Sequence, residues 1–124
     1  MGKKVKLLYV DDEDINLELF GIVFKTKFDV LTAKSASEGL NTLENNQDIM
    51  VVISDMKMPG LNGIEFIKIA KDKYQNIVYF ILTGFEITDE ISDALNNNLI
   101  NKYFKKPFNS KEIESSITEA LRLE

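Results

Sequence analysis

The sequence predicts an α/β fold: a parallel β-sheet with helices on both faces. Three observations lead there. Short, nearly continuous apolar runs rich in Val, Ile, Tyr and Phe read as strands buried on both sides. Segments of helical periodicity separate them, and the alternation of strand with helix repeats five times. Five such units imply right-handed crossovers that place helices above and below one sheet.

The elements follow in chain order. "KVKLLYV" (4–10) is the first strand, and the helix of residues 14–27 is expected to present Leu19, Phe20, Val23 and Phe24 on one stripe. "FDVLTA" (28–33) is more mixed and reads as an edge strand. Ser35 followed by Glu38 in "SASE" marks the start of a second helix. "IMVVIS" (49–54) is a buried strand, followed by a helix over 62–74 with Phe66, Ile67, Ala70 and Tyr74 on one face. "NIVYFILT" (76–83) is the fourth strand, and "EITDEISDALNN" (86–97), acidic along its length and ending in asparagines, is the weakest helix. "NKYFKK" (101–106) reads as the other edge strand. The last helix, 110–123, lines up Ile113, Ile117, Ala120 and Leu121 behind an Asn109–Glu112 start signal.

Composition removes several function classes. The 124 residues, 44% of them apolar with only two prolines, suit one domain spanning 1–124 around a single core. Cysteine and histidine are both absent, which excludes disulfides, thiolate metal sites and histidine general bases. Chemistry must rest on carboxylates, hydroxyls and lysines. No apolar run approaches the roughly 20 residues needed to span a bilayer, and "MGKKVKLLYVDD" passes directly into a strand, so a cytoplasmic protein without membrane contact is expected. A net charge of −5 with dispersed lysines argues against direct nucleic-acid binding.

Ligands of open parallel sheets bind at the carboxyl ends of the strands, near the point where strand order reverses. The first strand ends in "DDED" (11–14), the third in Asp55, the fourth in Thr83-Gly84 and the fifth in "KKPF" (105–108). Each piece has an ordinary structural reading: acids at 11–14 can cap a helix, Asp55 can begin a turn, Thr83-Gly84 can simply end a strand, and Lys106 can be an edge lysine. Together they are a constellation. Crowded carboxylates repel one another, and a hard divalent cation with oxygen ligands relieves the repulsion; Mg²⁺ fits best because it accepts two or three protein oxygens and keeps waters for a phosphate to replace. A carboxylate, a hydroxyl and an ammonium around such an ion suit phosphoryl transfer, with Asp55 as nucleophile, Thr83 hydrogen-bonding a phosphoryl oxygen and Lys106 neutralising charge.

The pieces "YVDDE" (9–13), "ISDMKMPGLNG" (53–63), "ILTG" (81–84) and "YFKKPF" (103–108) resemble, in order and spacing, those of two-component response-regulator receiver domains, including the chemotaxis-regulator type. The resemblance covers essentially the whole chain. It implies the flavodoxin-like receiver fold, a (βα)5 doubly wound sheet of strand order 2-1-3-4-5. It implies Asp55 as phospho-acceptor, and Mg²⁺ held by Asp11, Asp12, Asp55 and the backbone carbonyl of Lys57. Thr83 and Tyr103 become the switch pair, Lys106 the conserved-type lysine, and Lys106-Pro107 a cis bond. The implied phosphodonor is a sensor histidine kinase or a histidine phosphotransfer protein. Phosphorylation would reshape the face of the fourth helix, fifth strand and fifth helix, acting on an output partner or a lost output domain, as a monomer or a phosphorylation-dependent dimer. The domain would catalyse only its own phosphorylation and dephosphorylation.

Departures from the family pattern fall near that face. "NNNLINKYF" lacks the glycine that often follows the fourth helix, so Asn97 or Asn98 is expected in the left-handed conformation, and Lys102 stands where an acid is common. Lys57 and Phe85 flank the site and are expected to tune dephosphorylation. Ile15 and Ile22 lie opposite the core stripe of the first helix and are expected to form a docking surface for the phosphodonor. Two other readings stand beside this one. A Mg²⁺-dependent phosphohydrolase with an aspartyl nucleophile would use the D-x-D spacing of Asp12 and Asp14, although 124 residues leave no room for a cap. A pseudo-receiver interaction module would have a silent site. No output module follows Leu123, so the chain is expected to be a stand-alone regulator or a piece of a longer protein.

Overall fold

The computed structural model describes residues 4–84 and 86–122. Strands β1 (Val5–Val10), β2 (Phe28–Ala33), β3 (Val51–Asp55), β4 (Val78–Thr83) and β5 (Lys102–Lys105) alternate with helices α1 (Asp14–Phe24), α2 (Ala36–Asn45), α3 (Gly63–Lys73), α4 (Asp89–Asn96) and α5 (Ser110–Leu121). The strands form one parallel sheet in the order β2-β1-β3-β4-β5, so β2 and β5 are its edges. This is the doubly wound flavodoxin-like arrangement, with the reversal of strand order between β1 and β3.

The apolar runs are continuous because both faces are covered. Leu7 and Tyr9, Val51 and Ile53, Phe80 and Leu82, and Phe104 pack with Leu17, Phe20 and Phe24 of α1 and Ile113 and Ile117 of α5. Their chain neighbours Leu8, Val10, Val52, Tyr79 and Ile81 face the other way, toward Leu43 of α2, Ile64, Phe66, Ile67 and Ala70 of α3, and Ile91 and Ala94 of α4. Period-two alternation thus divides the core into two layers. Among the described residues, no helix is long and apolar enough to cross a membrane.

The stripe expected on α1 is only half right. Phe20 and Phe24 are buried, but the third inward residue is Leu17, while Leu19 and Val23 stand 49% and 37% exposed. Seven apolar side chains crowd this helix, so periodicity alone admits several faces; the ring of Tyr9, stacked on Phe20 at 4.2 Å, selects the one observed. The start signals are partly realised. Ser35 and Asn109 each accept from the backbone N–H three residues on. The reciprocal box forms instead at α3, where Asn62 accepts from the Glu65 N–H and the Glu65 carboxylate accepts from the Asn62 N–H. Asn98 has φ 59°, the left-handed conformation expected of Asn97 or Asn98. α4 is the shortest helix, as its weak pattern implies.

Candidate functional site

Four strand ends build the site. Asp11 follows β1, Asp55 closes β3, Thr83 closes β4 and Lys106 follows β5. Backbone bonds fix these ends: the Asp11 N–H donates to the Ala33 carbonyl (3.1 Å), Met56 N–H to Leu82 (3.3 Å) and Lys106 N–H to Thr83 (2.8 Å). The Lys106–Pro107 bond is cis. Gly63, the first residue of α3, lies so close that a β-carbon there would overlap the Asp55 carbonyl oxygen and meet Ile81 Cδ1 at 2.8 Å. The helix following Asp55 therefore begins hard against the strand that carries it.

Asp11 is wholly buried, Asp55 is 6% exposed and Thr83 is buried beside them. Lys106 Nζ lies 3.1 Å from Asp11 Oδ2 and 3.1 Å from Asp55 Oδ1, one ammonium shared by two carboxylates. Asp11 Oδ1 accepts from the Glu13 N–H at 3.0 Å. Its Oδ2 also accepts from the Tyr9 hydroxyl at 2.5 Å and from Asn16 Nδ2 at 3.2 Å. Burial, with the charge of Asp11 added, pushes the Asp55 carboxyl up to about 6 against the pull of Lys106. Burial by itself lowers the Lys106 ammonium, but the charges and hydrogen bonds of Asp55 and Asp11 outweigh it and the net direction is up. The lysine stays charged.

Asp11, Asp12 and Asp55 each offer a carboxylate oxygen within 4.8 Å of the others, with Asp12 exposed at the mouth. Lys106 compensates one of these three charges. All the donors are hard oxygens, and neither histidine nor cysteine exists in the chain to favour a softer metal, so the cluster fits a hard divalent cation such as Mg²⁺. Asp14 stands apart: it pairs with Lys34 at 2.8 Å, so the acid grouped with Asp11 and Asp55 is Asp12. Lys57 is exposed just past β3. Tyr103, in β5, is half-buried against the layer that includes Ile64 and Ile91. Ile15 and Ile22 are 77% and 58% exposed on α1. Phe85 lies outside the described residues.

Two residues in contact with this constellation carry no sequence signal by type. Tyr9 and Asn16 look like a strand tyrosine and a helix asparagine. The signal for Tyr9 is positional, since a residue two before Asp11 in a strand shares its face.

The chain belongs to the response regulator receiver domain family, whose description matches residues 7–118. Receiver domains are signalling modules of two-component systems rather than enzymes that turn over an external substrate. The chain is 30% identical over 122 residues to a chemotaxis protein CheY homolog of Campylobacter jejuni, covering 94% of this chain and 92% of that protein. It is 29% identical over 119 residues to sporulation initiation phosphotransferase F of Bacillus subtilis, with 95% and 94% covered. It also aligns with the hydrogenase transcriptional regulatory protein HoxA of Cupriavidus necator, 29% identical over 96% of this chain, but spans only 24% of that protein's length. Among solved structures, a response regulator receiver domain protein of Clostridium thermocellum superposes with TM-score 0.84 at 30% identity, covering 95% and 94% of the two chains. A CheY-like receiver domain of Methanospirillum hungatei does so with TM-score 0.88 at 26% identity, covering 97% and 95%.

Proposed function

We propose that residues 1–124 form one receiver domain that accepts a phosphoryl group on Asp55 from the phosphohistidine of a sensor kinase or phosphotransfer protein, and that this changes the α4–β5–α5 face. The observation that carries this reading is Lys106 shared between Asp11 and Asp55 beside a third acid. An Asp55 oxygen attacks phosphorus as the donor's N–P bond breaks; the ring nitrogen keeps the electron pair, and the imidazole leaves neutral because its other nitrogen already carries a proton. Asp55 is poised for this, being buried at its base, rigid at a strand end and open on one side. Mg²⁺, bound by Asp11, Asp12, Asp55 and the Lys57 carbonyl, would supply the positive charge that a transferring phosphoryl group needs. Lys106 then follows the new phosphoryl oxygens, Thr83 donates its hydroxyl to one of them, and Tyr103 fills the space that Thr83 vacates. A shift of a few kcal/mol suffices to move such an equilibrium.

Incubation with acetyl phosphate and Mg²⁺, followed by intact mass measurement, is expected to add one phosphoryl group. The gain should vanish in Asp55→Asn and in EDTA. No gain in the native chain would reject the reading.

The donor's docking surface is proposed at Ile15 and Ile22, both exposed on α1, with Ile15 directly following the acidic run 11–14. The same helix contributes Leu19 and Val23 to a groove whose other wall includes Pro107 and Phe108, just after β5. Ile15→Glu and Ile22→Glu are expected to slow transfer from a phosphohistidine protein by about tenfold or more while sparing acetyl phosphate. Equal slowing with both donors would contradict docking.

A further inference from the structure

Asp11 Oδ2 receives three donors at once: the Tyr9 hydroxyl at 2.5 Å, Lys106 Nζ at 3.1 Å and Asn16 Nδ2 at 3.2 Å. The shortest of these comes from a group that the phosphorylation chemistry does not use. Tyr9 is 1% exposed, its ring clamped by stacking on Phe20, so the hydroxyl is aimed by the core and not by solvent.

Lys106 has to serve two carboxylates. On the phosphorylation reading, on which this inference rests, it must leave Asp11 to follow a phosphoryl group on Asp55. A wholly buried carboxylate that lost its strongest donor would hold the lysine back, because an uncompensated buried charge is costly. We infer that Tyr9 is a positioning residue whose hydroxyl stays on Asp11 Oδ2, freeing Lys106 to move and restraining the hold of Asp11 on a cation. The two consequences have opposite signs. The same donor occupies lone-pair density on Asp11 that a divalent cation would otherwise use.

Tyr9→Phe keeps the stacked ring and removes only the oxygen. Relative to wild type, Mg²⁺ followed by amide chemical shifts at residues 11–13 and 55–57 should bind about three- to tenfold more tightly. At saturating Mg²⁺, phosphorylation by acetyl phosphate should slow by about three- to tenfold, because Lys106 is held on Asp11. A purely structural role for Tyr9 would weaken both together, and that result, or no change in either, overturns the inference. So does a change in one without the other where both can be measured. If wild type takes up no phosphoryl group, the phosphorylation reading fails by itself, and the Mg²⁺ titration still decides for or against Tyr9. Should Tyr9→Phe not fold, Asn16→Ala removes another donor from the same oxygen and must show the same pair of signs.

Discussion

Gly63→Ala is expected to destabilise the protein by about 2–4 kcal/mol, lowering the thermal midpoint by roughly 10 °C. In an exposed helix the same change stabilises by up to about 1 kcal/mol, since alanine restricts the unfolded chain. Here the sign reverses because the added methyl overlaps the Asp55 carbonyl oxygen and presses on Ile81. Relief requires α3 to retreat from β3, breaking the 2.8 Å bond from the Gly63 N–H to the Met56 carbonyl and displacing Asp55 with it. Urea unfolding measures the first effect. An unchanged or raised midpoint would mean that the β3–α3 junction yields easily.

Asp55→Asn is expected to act in the opposite direction when no divalent cation is present. The Asp55 carboxyl is raised to about 6 in the folded protein from an ordinary 3.8. The native state therefore holds a proton that the unfolded chain has released across that window, and stability falls as pH rises from about 4 to about 6. Above the window the ionised, buried carboxylate opposes folding by up to about 3 kcal/mol. That cost is already net of the pull of Lys106, so asparagine removes it and leaves the ammonium with Asp11, for a gain of about 1–3 kcal/mol at pH 7.5 and a midpoint several degrees higher. The gain should shrink as pH falls toward 4. Mg²⁺ should narrow it by stabilising the wild type by mass action more than the variant. Thermal scans at pH 4.5 and 7.5, with and without Mg²⁺, separate these effects; a lower midpoint for the variant at pH 7.5 without Mg²⁺ would contradict the argument.

The parts of this architecture legible in the sequence are those fixed by local chemistry. A strand covered on both faces must be apolar at every position, so β1, β3 and β4 stand out, and the mixed runs at β2 and β5 do form the edges. Strand ends then bring Asp11, Asp55, Thr83 and Lys106 to one lip of the sheet, because a parallel arrangement aligns all carboxyl ends. What stayed hidden depends on neighbours distant in the chain. Which face of α1 turns inward was decided by Tyr9 and the aromatic rings around Phe20, and Leu17 replaced Leu19 and Val23 as a result. Gly63 betrays its necessity only once the Asp55 carbonyl is beside it. The Tyr9 hydroxyl reads as strand-former until Asp11 is seen to turn back toward it.

α4 buries only Ile91 and Ala94, yet polar contacts stitch both of its ends. Asn62 Nδ2 reaches Glu90 at 3.2 Å at one end, and the Lys71 ammonium donates to the Asn98 carbonyl beyond the other. Its attachment is thus concentrated at a few points instead of spread over a packed stripe. Such an element is expected to open as a unit, with its amides exchanging with solvent before those of α3 or α5 in a hydrogen-exchange measurement. The Asn62 stitch also lies in the loop that leads from Asp55 into α3, so a disturbance near the acid pocket needs to cross only one side chain to reach the hinge of the most loosely moored helix.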